Sequence, residues 1–161
     1  MQTSTRRNAL FAGLGAGLLA LTGRARAADK DGKAKVVYHV TRMDGQPERC
    51  LDFVRNHLAG EPGVPLVVVA NGSGIDFLLN GAKTKSGAEF AGNVGDFAGQ
   101  GVKFLVCENT LKARNISKDK VLMDASFVPS GVVEAARLQN RDGYAYILSL
   151  IHISEPTRLG M

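Results

Sequence analysis

The chain has 161 residues, 45% of them hydrophobic and 22% charged, with two cysteines, three histidines and no tryptophan. That is one domain's worth of chain, apolar enough for a core and too short for two ordinary domains. The net charge of +5 is not a nucleic-acid footprint: Arg6, Arg7, Arg24 and Arg26 lie in the first 27 residues, which hold no acid, and the remainder is nearly neutral with its lysines scattered.

The chain opens with a paired arginine, an apolar stretch from Ala9 to Leu21, and Ala25-Arg26-Ala27, a small-x-small cleavage pattern. The apolar stretch is shorter than the roughly 18 to 20 residues of a membrane span. Residues 1–27 are therefore expected to be a removed export signal, leaving no stable membrane anchor and a periplasmic protein; the alternative is an uncleaved anchor. Thr5-Arg6-Arg7-Asn8-Ala9-Leu10 resembles the twin-arginine motif without its usual Phe and Lys, which leaves both the twin-arginine and the Sec routes open. Residues 28–34 read as a polar lead-in.

From residue 35 apolar runs alternate with helical patterns. Val36 to Thr41 reads as a strand, and Pro47 to Ala59 as a helix with Pro near its start and Gly60 at its end. Val64 to Ala70 is an all-apolar strand that exits into Asn71-Gly72-Ser73-Gly74. A polar loop, Leu79 to Gly87, is expected to be mobile. Ser86 and Glu89 have the spacing of a capping box for a helix carrying Phe90, Val94 and Phe97, weakened by Gly87, Gly92, Gly95 and Gly99. A strand ending at Cys107, a short helix over 108–114, a strand over 121–128, a helix over 130–140 and a strand over 144–147 follow. Strands apolar on both faces and separated by helices predict a parallel sheet covered on both sides. The expected class is α/β, a flavodoxin-like three-layer fold with a mostly parallel sheet of about five strands over residues 35–147.

Residues 148–161 break this pattern. Leu148 to Arg158 matches the in-frame translation of a sequencing-transposase adapter over eleven consecutive residues. The segment, with its His152, is set aside as a non-native tail.

In parallel sheets ligands meet the carboxyl ends of the strands. Those ends carry Arg42 to Gly45, Asn71 to Gly74, the segment from Cys107 to Leu111, and Val128 to Gly131, and the thiol gives this rim its chemistry. A helix starting after Cys107 would aim amide N–H groups at the sulfur and favour the thiolate, which is the nucleophile. Lys112 and Arg114 would add to this, and Glu108 would oppose it. The opposing reading is a cysteine packed at a strand end. Cys50 shares a helical face with Leu51, Val54, His57 and Leu58 and reads as a core thiol. Asn71 to Gly74 lacks the full dinucleotide and P-loop spacings and reads as a tight turn rather than an anion cradle. His39 reads as a hydrogen-bonded core histidine, and Asp44 and Asp124 as solvated or capping carboxylates. No metal site and no cofactor is expected.

The stretches GVKFLVCENTLKARNI and VPSGVVEAARLQNRDGYAYI resemble the DsrE/DsrF-like family of small sulfur-relay proteins, in its exported branch. The resemblance implies a flavodoxin-like sheet, homo-oligomers (often trimers or hexamers), and a cysteine at the position of Cys107 that carries a persulfide in some members. It implies a sulfurtransferase or sulfur carrier in which Cys107 would take up and pass on sulfane sulfur. Asn109 and Thr110 would donate hydrogen bonds near the sulfur, and Asn71, Gly72, Ser73, Gly74 and Arg42 would shape the approach. The sulfur donor and acceptor are not specified by the sequence. Two rivals stand beside this reading. One is a non-catalytic oligomeric module that binds a small ligand, with Cys107 as packing; the other is a redox sensor pairing Cys50 with Cys107. An exposed Cys107 favours the carrier, and one sealed beneath apolar neighbours favours the module.

Overall fold

The computed structural model describes residues 32–148. The expected signal over 1–27 and all of the tail over 148–161 except Leu148, which ends the last strand, lie outside the described residues. Five strands, β1 (Val36–Val40), β2 (Leu66–Ala70), β3 (Lys103–Cys107), β4 (Ala125–Val128) and β5 (Ala145–Leu148), form one sheet in the order β4-β3-β2-β1-β5. Every pairing is parallel. The expected three-layer α/β plan is present, with a strand order different from the 2-1-3-4-5 of flavodoxin itself.

β1 and β2 are buried along their whole length, as strands covered on both faces must be. On one face α1 (Gln46–Gly60) and α2 (Phe90–Gly99) close the larger core around Tyr38, Val54, Val68, Phe77, Phe90 and Phe104. The short α3 (Glu108–Ala113) joins β3 to β4 and adds Leu111 to this core. On the other face α4 (Gly131–Asn140) covers a smaller cluster of Val37, Val67, Val69 and Leu138. β5 is the most exposed strand, because as an edge strand it has only β1 beside it.

Three local expectations are corrected. The capping box is not formed: Glu89 is the N-cap of α2 with no side-chain cap bond, and Ser86 Oγ is instead 2.9 Å from Thr84 Oγ1. Gly87 lies in that loop at φ +87°, outside the helix it was expected to weaken. The expected strand over 121–128 is split, because Ala125 N–H donates to Leu122 O at 3.1 Å and turns the chain. Only Ala125–Val128 joins the sheet, while Val121 forms an isolated antiparallel bridge with Leu79. The polar loop expected to be mobile is pinned: Asn80 N–H donates to Lys120 O at 2.8 Å, Thr84 N–H to Ala88 O at 2.8 Å, and Lys85 N–H to Glu48 Oε1 at 3.2 Å.

Candidate functional site

Cys107 is the last residue of β3 and the N-cap of α3. It is 5% exposed, less open than a strand-exit position suggested. Its surroundings are nevertheless polar. Burial pushes the thiol up, and hydrogen bonds from the Thr110 hydroxyl and from the backbone amides of Gly131, Thr110 and Asn109 outweigh it, so the net displacement is below the ordinary value. The Asn109 amide is shared, since it also donates to Pro129 O at 3.2 Å, and Thr110 and Gly131 are the donors that matter most. The Asn109 residue is itself exposed. Of the two residues expected near the sulfur, Thr110 donates from its side chain and Asn109 from its backbone.

Part of the expected cause is present, since the amides of Asn109 and Thr110 in the first turn of α3 are among these donors. α3 has six residues, too few for a sizeable macrodipole, so discrete donors do the work. Arg114 is committed elsewhere, donating from Nη1 to Asp76 Oδ1 at 2.6 Å and to Gly72 O at 3.3 Å. Glu108 is turned to Lys118 Nζ at 2.6 Å, and that hydrogen bond holds its carboxyl below the usual range.

The β2 exit wraps against this point. Gly72 N–H donates to Thr110 Oγ1 at 3.1 Å, and Gly74 N–H donates to Asn71 O at 2.9 Å, so neither amide is left for an anion. The segment opens a 3₁₀ helix, Gly72–Leu78, that buries Ile75, Phe77 and Leu78. Glycine is required at residue 74, where a β-carbon would stand 2.4 Å from Val40 O. Ser73 is exposed, and Arg42 is exposed and paired with Asp44 at 2.7 Å. Asp44 thus has the partner that its sequence context did not reveal.

Gly131 was not singled out by sequence as a site residue, yet it is the roof of the site. A β-carbon there would lie 3.3 Å from Cys107 Cβ, from Asn71 Cβ and from Val69 Cγ1. The absent side chain lets α4 settle on the sulfur and bring its amide within reach. Next along the same face is His39, 6% exposed, with Nδ1 2.7 Å from the Tyr146 hydroxyl. It is the hydrogen-bonded core histidine expected. Strand parity was the available signal: His39 pairs with Val69 and Val69 with Leu105, which puts residues 39, 69, 71, 105 and 107 on the α4 face.

Cys50 is fully buried on α1 in the opposite core, and burial raises its thiol to about 12. Both cysteines are free thiols, and the sheet separates them. A hollow of about 800 Å3 is an open groove beside α1 lined by Asp44, Glu48, Arg49, Asp52, Arg55 and Lys85 among others, and Cys107 is not in it. The thiol with its donors, rather than that mixed-charge groove, is the place with defined chemistry.

A model of the DsrE/DsrF-like family matches residues 35–148. No curated protein matches the chain. Among solved structures it is similar to MTH1491 from Methanobacterium thermoautotrophicum, described as a protein of unknown function, at 33% identity and a TM-score of 0.64 over 72% of this chain and 99% of that one. It is also similar to the ychN protein from E. coli, at 17% identity and a TM-score of 0.59 over 71% of this chain and 97% of that one, a likeness of fold alone.

Proposed function

The chain belongs to the DsrE/DsrF-like family, and from that premise we propose that it is a periplasmic sulfur-handling protein in which Cys107 accepts sulfane sulfur and passes it on as a persulfide. The observation that supports this most is the set of donors from Thr110 and Gly131, which favours the Cys107 thiolate in spite of burial. A thiolate attacks the outer sulfur of a donor persulfide; the new S–S bond forms on Cys107 as the donor's S–S bond breaks, and the donor leaves as a thiolate. An acceptor thiolate then attacks the outer sulfur on Cys107 and returns it to the thiolate. No net oxidation occurs in either step. A carrier needs one such exchange per encounter, and a sulfurtransferase repeats it.

Export and assembly belong to the same reading. The signal pattern of residues 1–27 supports export by the twin-arginine or Sec route. Exposed Val132, Val133 and Met123 offer apolar surface that other copies in a trimer or hexamer would cover. Asn71, Gly72, Ser73, Gly74 and Arg42 remain the proposed approach to the sulfur.

The low exposure of Cys107 favours a second reading, a non-catalytic oligomeric ligand-binding module in which this thiol is packing. Intact-mass measurement of the mature protein after exposure to polysulfide separates the two. The carrier gains sulfur on the wild type and none on Cys107→Ser. Equal loading of both proteins, or none on either, leaves the packing reading.

A further inference from the structure

Two buried polar atoms on the α4 face have no hydrogen-bond partner among the described residues: His39 Nε2 and Asn71 Oδ1. Leaving either unmade is costly, so their occurrence on β1 and at the exit of the neighbouring β2 needs an account. The His39 ring is anchored on its other side by the Tyr146 hydroxyl, 2.7 Å from Nδ1. If the hydroxyl donates to Nδ1, the tautomer is fixed and Nε2 carries the hydrogen. That N–H and Asn71 Oδ1 are complementary, and Asn71 acts on the imidazole in the sense of an acceptor. A small shift, or one bridging water, satisfies both.

This pairing orients the amide. With Oδ1 drawn toward His39, Nδ2 is the end left for the sulfur site, and the Cβ atoms of Asn71 and Cys107 flank the same point above Gly131, each 3.3 Å from it. The Cys107 thiol already has its donors in Thr110 and Gly131. A second sulfur atom on Cys107 would extend past Sγ and would have none of these.

We infer that Asn71 is a positioning residue for the outer sulfur of a Cys107 persulfide, its amide held in donor orientation by His39 and, through His39, by Tyr146. This rests on the persulfide reading above. It adds the part of the site that distinguishes a bound second sulfur from a bare thiol, and it joins residues 107 positions apart in the chain to one function.

The test compares alkylation rates against pH for the thiol form and for the polysulfide-loaded form of each protein. Asn71→Leu keeps the volume and removes the amide. The midpoint of its persulfide profile should rise by about one pH unit, a roughly tenfold loss of rate below the midpoint, while its thiol profile stays within about twofold of wild type. His39→Phe should shift the persulfide profile in the same direction by less. His39→Gln, which retains an N–H near the Nε2 position, should restore it. Tyr146→Phe, at a half-exposed edge position, gives an independent reading with about a threefold change should Asn71→Leu fail to fold. A persulfide midpoint unchanged in both Asn71→Leu and Tyr146→Phe, or thiol and persulfide profiles that move together, overturns the inference. Failure of the wild type to load sulfur removes the persulfide reading and the inference with it, a result distinct from normal loading with unmoved variants.

Discussion

Thr110 ties the two halves of the rim to one sulfur: its hydroxyl oxygen accepts from Gly72 N–H at 3.1 Å, and the same hydroxyl donates to Cys107. A single side chain thus couples the β2 exit to the β3 exit, accepting from the one and holding the thiol's ionisation down at the other.

Thr110→Val keeps the shape and removes both bonds. Alkylation of Cys107 near neutral pH should slow about tenfold, corresponding to roughly one unit of rise in its ionisation midpoint. The stability change has a defined pH dependence. The folded-state thiol lies below its ordinary value of about 8.5, so its contribution is fully present above that value and is lost as pH falls through the folded-state value. Urea midpoints should therefore show the largest gap between wild type and variant on the alkaline side. The gap should narrow toward acid to the roughly 1 kcal/mol of the lost Gly72 bond. A gap of constant size from about pH 6 to about pH 9 would mean that Thr110 does not act on the thiolate.

Gly131→Ala tests the roof of the site. Its new methyl would meet Cys107 Cβ, Asn71 Cβ and Val69 Cγ1 at 3.3 Å each, so the neighbours must give by a few tenths of an ångström. We expect a loss of about 1–2 kcal/mol of stability and slower Cys107 alkylation as α4 is lifted and its amide withdrawn. Gly74→Ala is the contrasting case, since a methyl 2.4 Å from Val40 O cannot be accommodated without moving backbone. It should cost more in chemical denaturation than Gly131→Ala. Equal costs would show that the approach of residue 74 to Val40 O is not as close as described.

The two thiols should behave as different reagents. Cys50 is fully buried and its thiol is pushed up to about 12 by desolvation, whereas Cys107 is held down by its donors. Mass analysis after native-state alkylation should find label on Cys107 alone, with Cys50 labelled only after denaturation. Equal labelling of both in the native state would contradict the assigned environments.

The strands were legible because burial on both faces leaves a plain mark, as in the run from Leu66 to Ala70, where no polar residue interrupts. Cys107 was legible as the residue at which such a run stops. The cause of its activation was legible in part: the first amides of α3 and Thr110 were expected at the sulfur, but so was the charge of Arg114, which folds onto Asp76 and Gly72, and the Gly131 donor lies more than twenty residues on. Gly131 looked like an ordinary first helical residue because what matters there is a missing side chain. The Ser86 and Glu89 spacing misled because Thr84 captures Ser86 within the loop. His39 and Tyr146 meet only through the parallel pairing of β1 with β5, which no local pattern encodes.

His39 also sets an acid limit on the fold. Burial lowers its pKa, and Asn71 offsets this only in part, so the folded state prefers the neutral ring. Between the folded value and the unfolded value of about 6.5 the unfolded chain binds more protons. Stability on this account is complete above about pH 6.5 and falls as pH drops through that value toward the folded one. Wild-type melting temperature should therefore decline from about pH 7.5 to about pH 5, and the decline should be shallower in His39→Gln, which has nothing to protonate at this position. Thermal melts by circular dichroism across this range measure both slopes. Parallel slopes would place the titrating group elsewhere and leave the neutral His39, on which the orientation of Asn71 depends, without support.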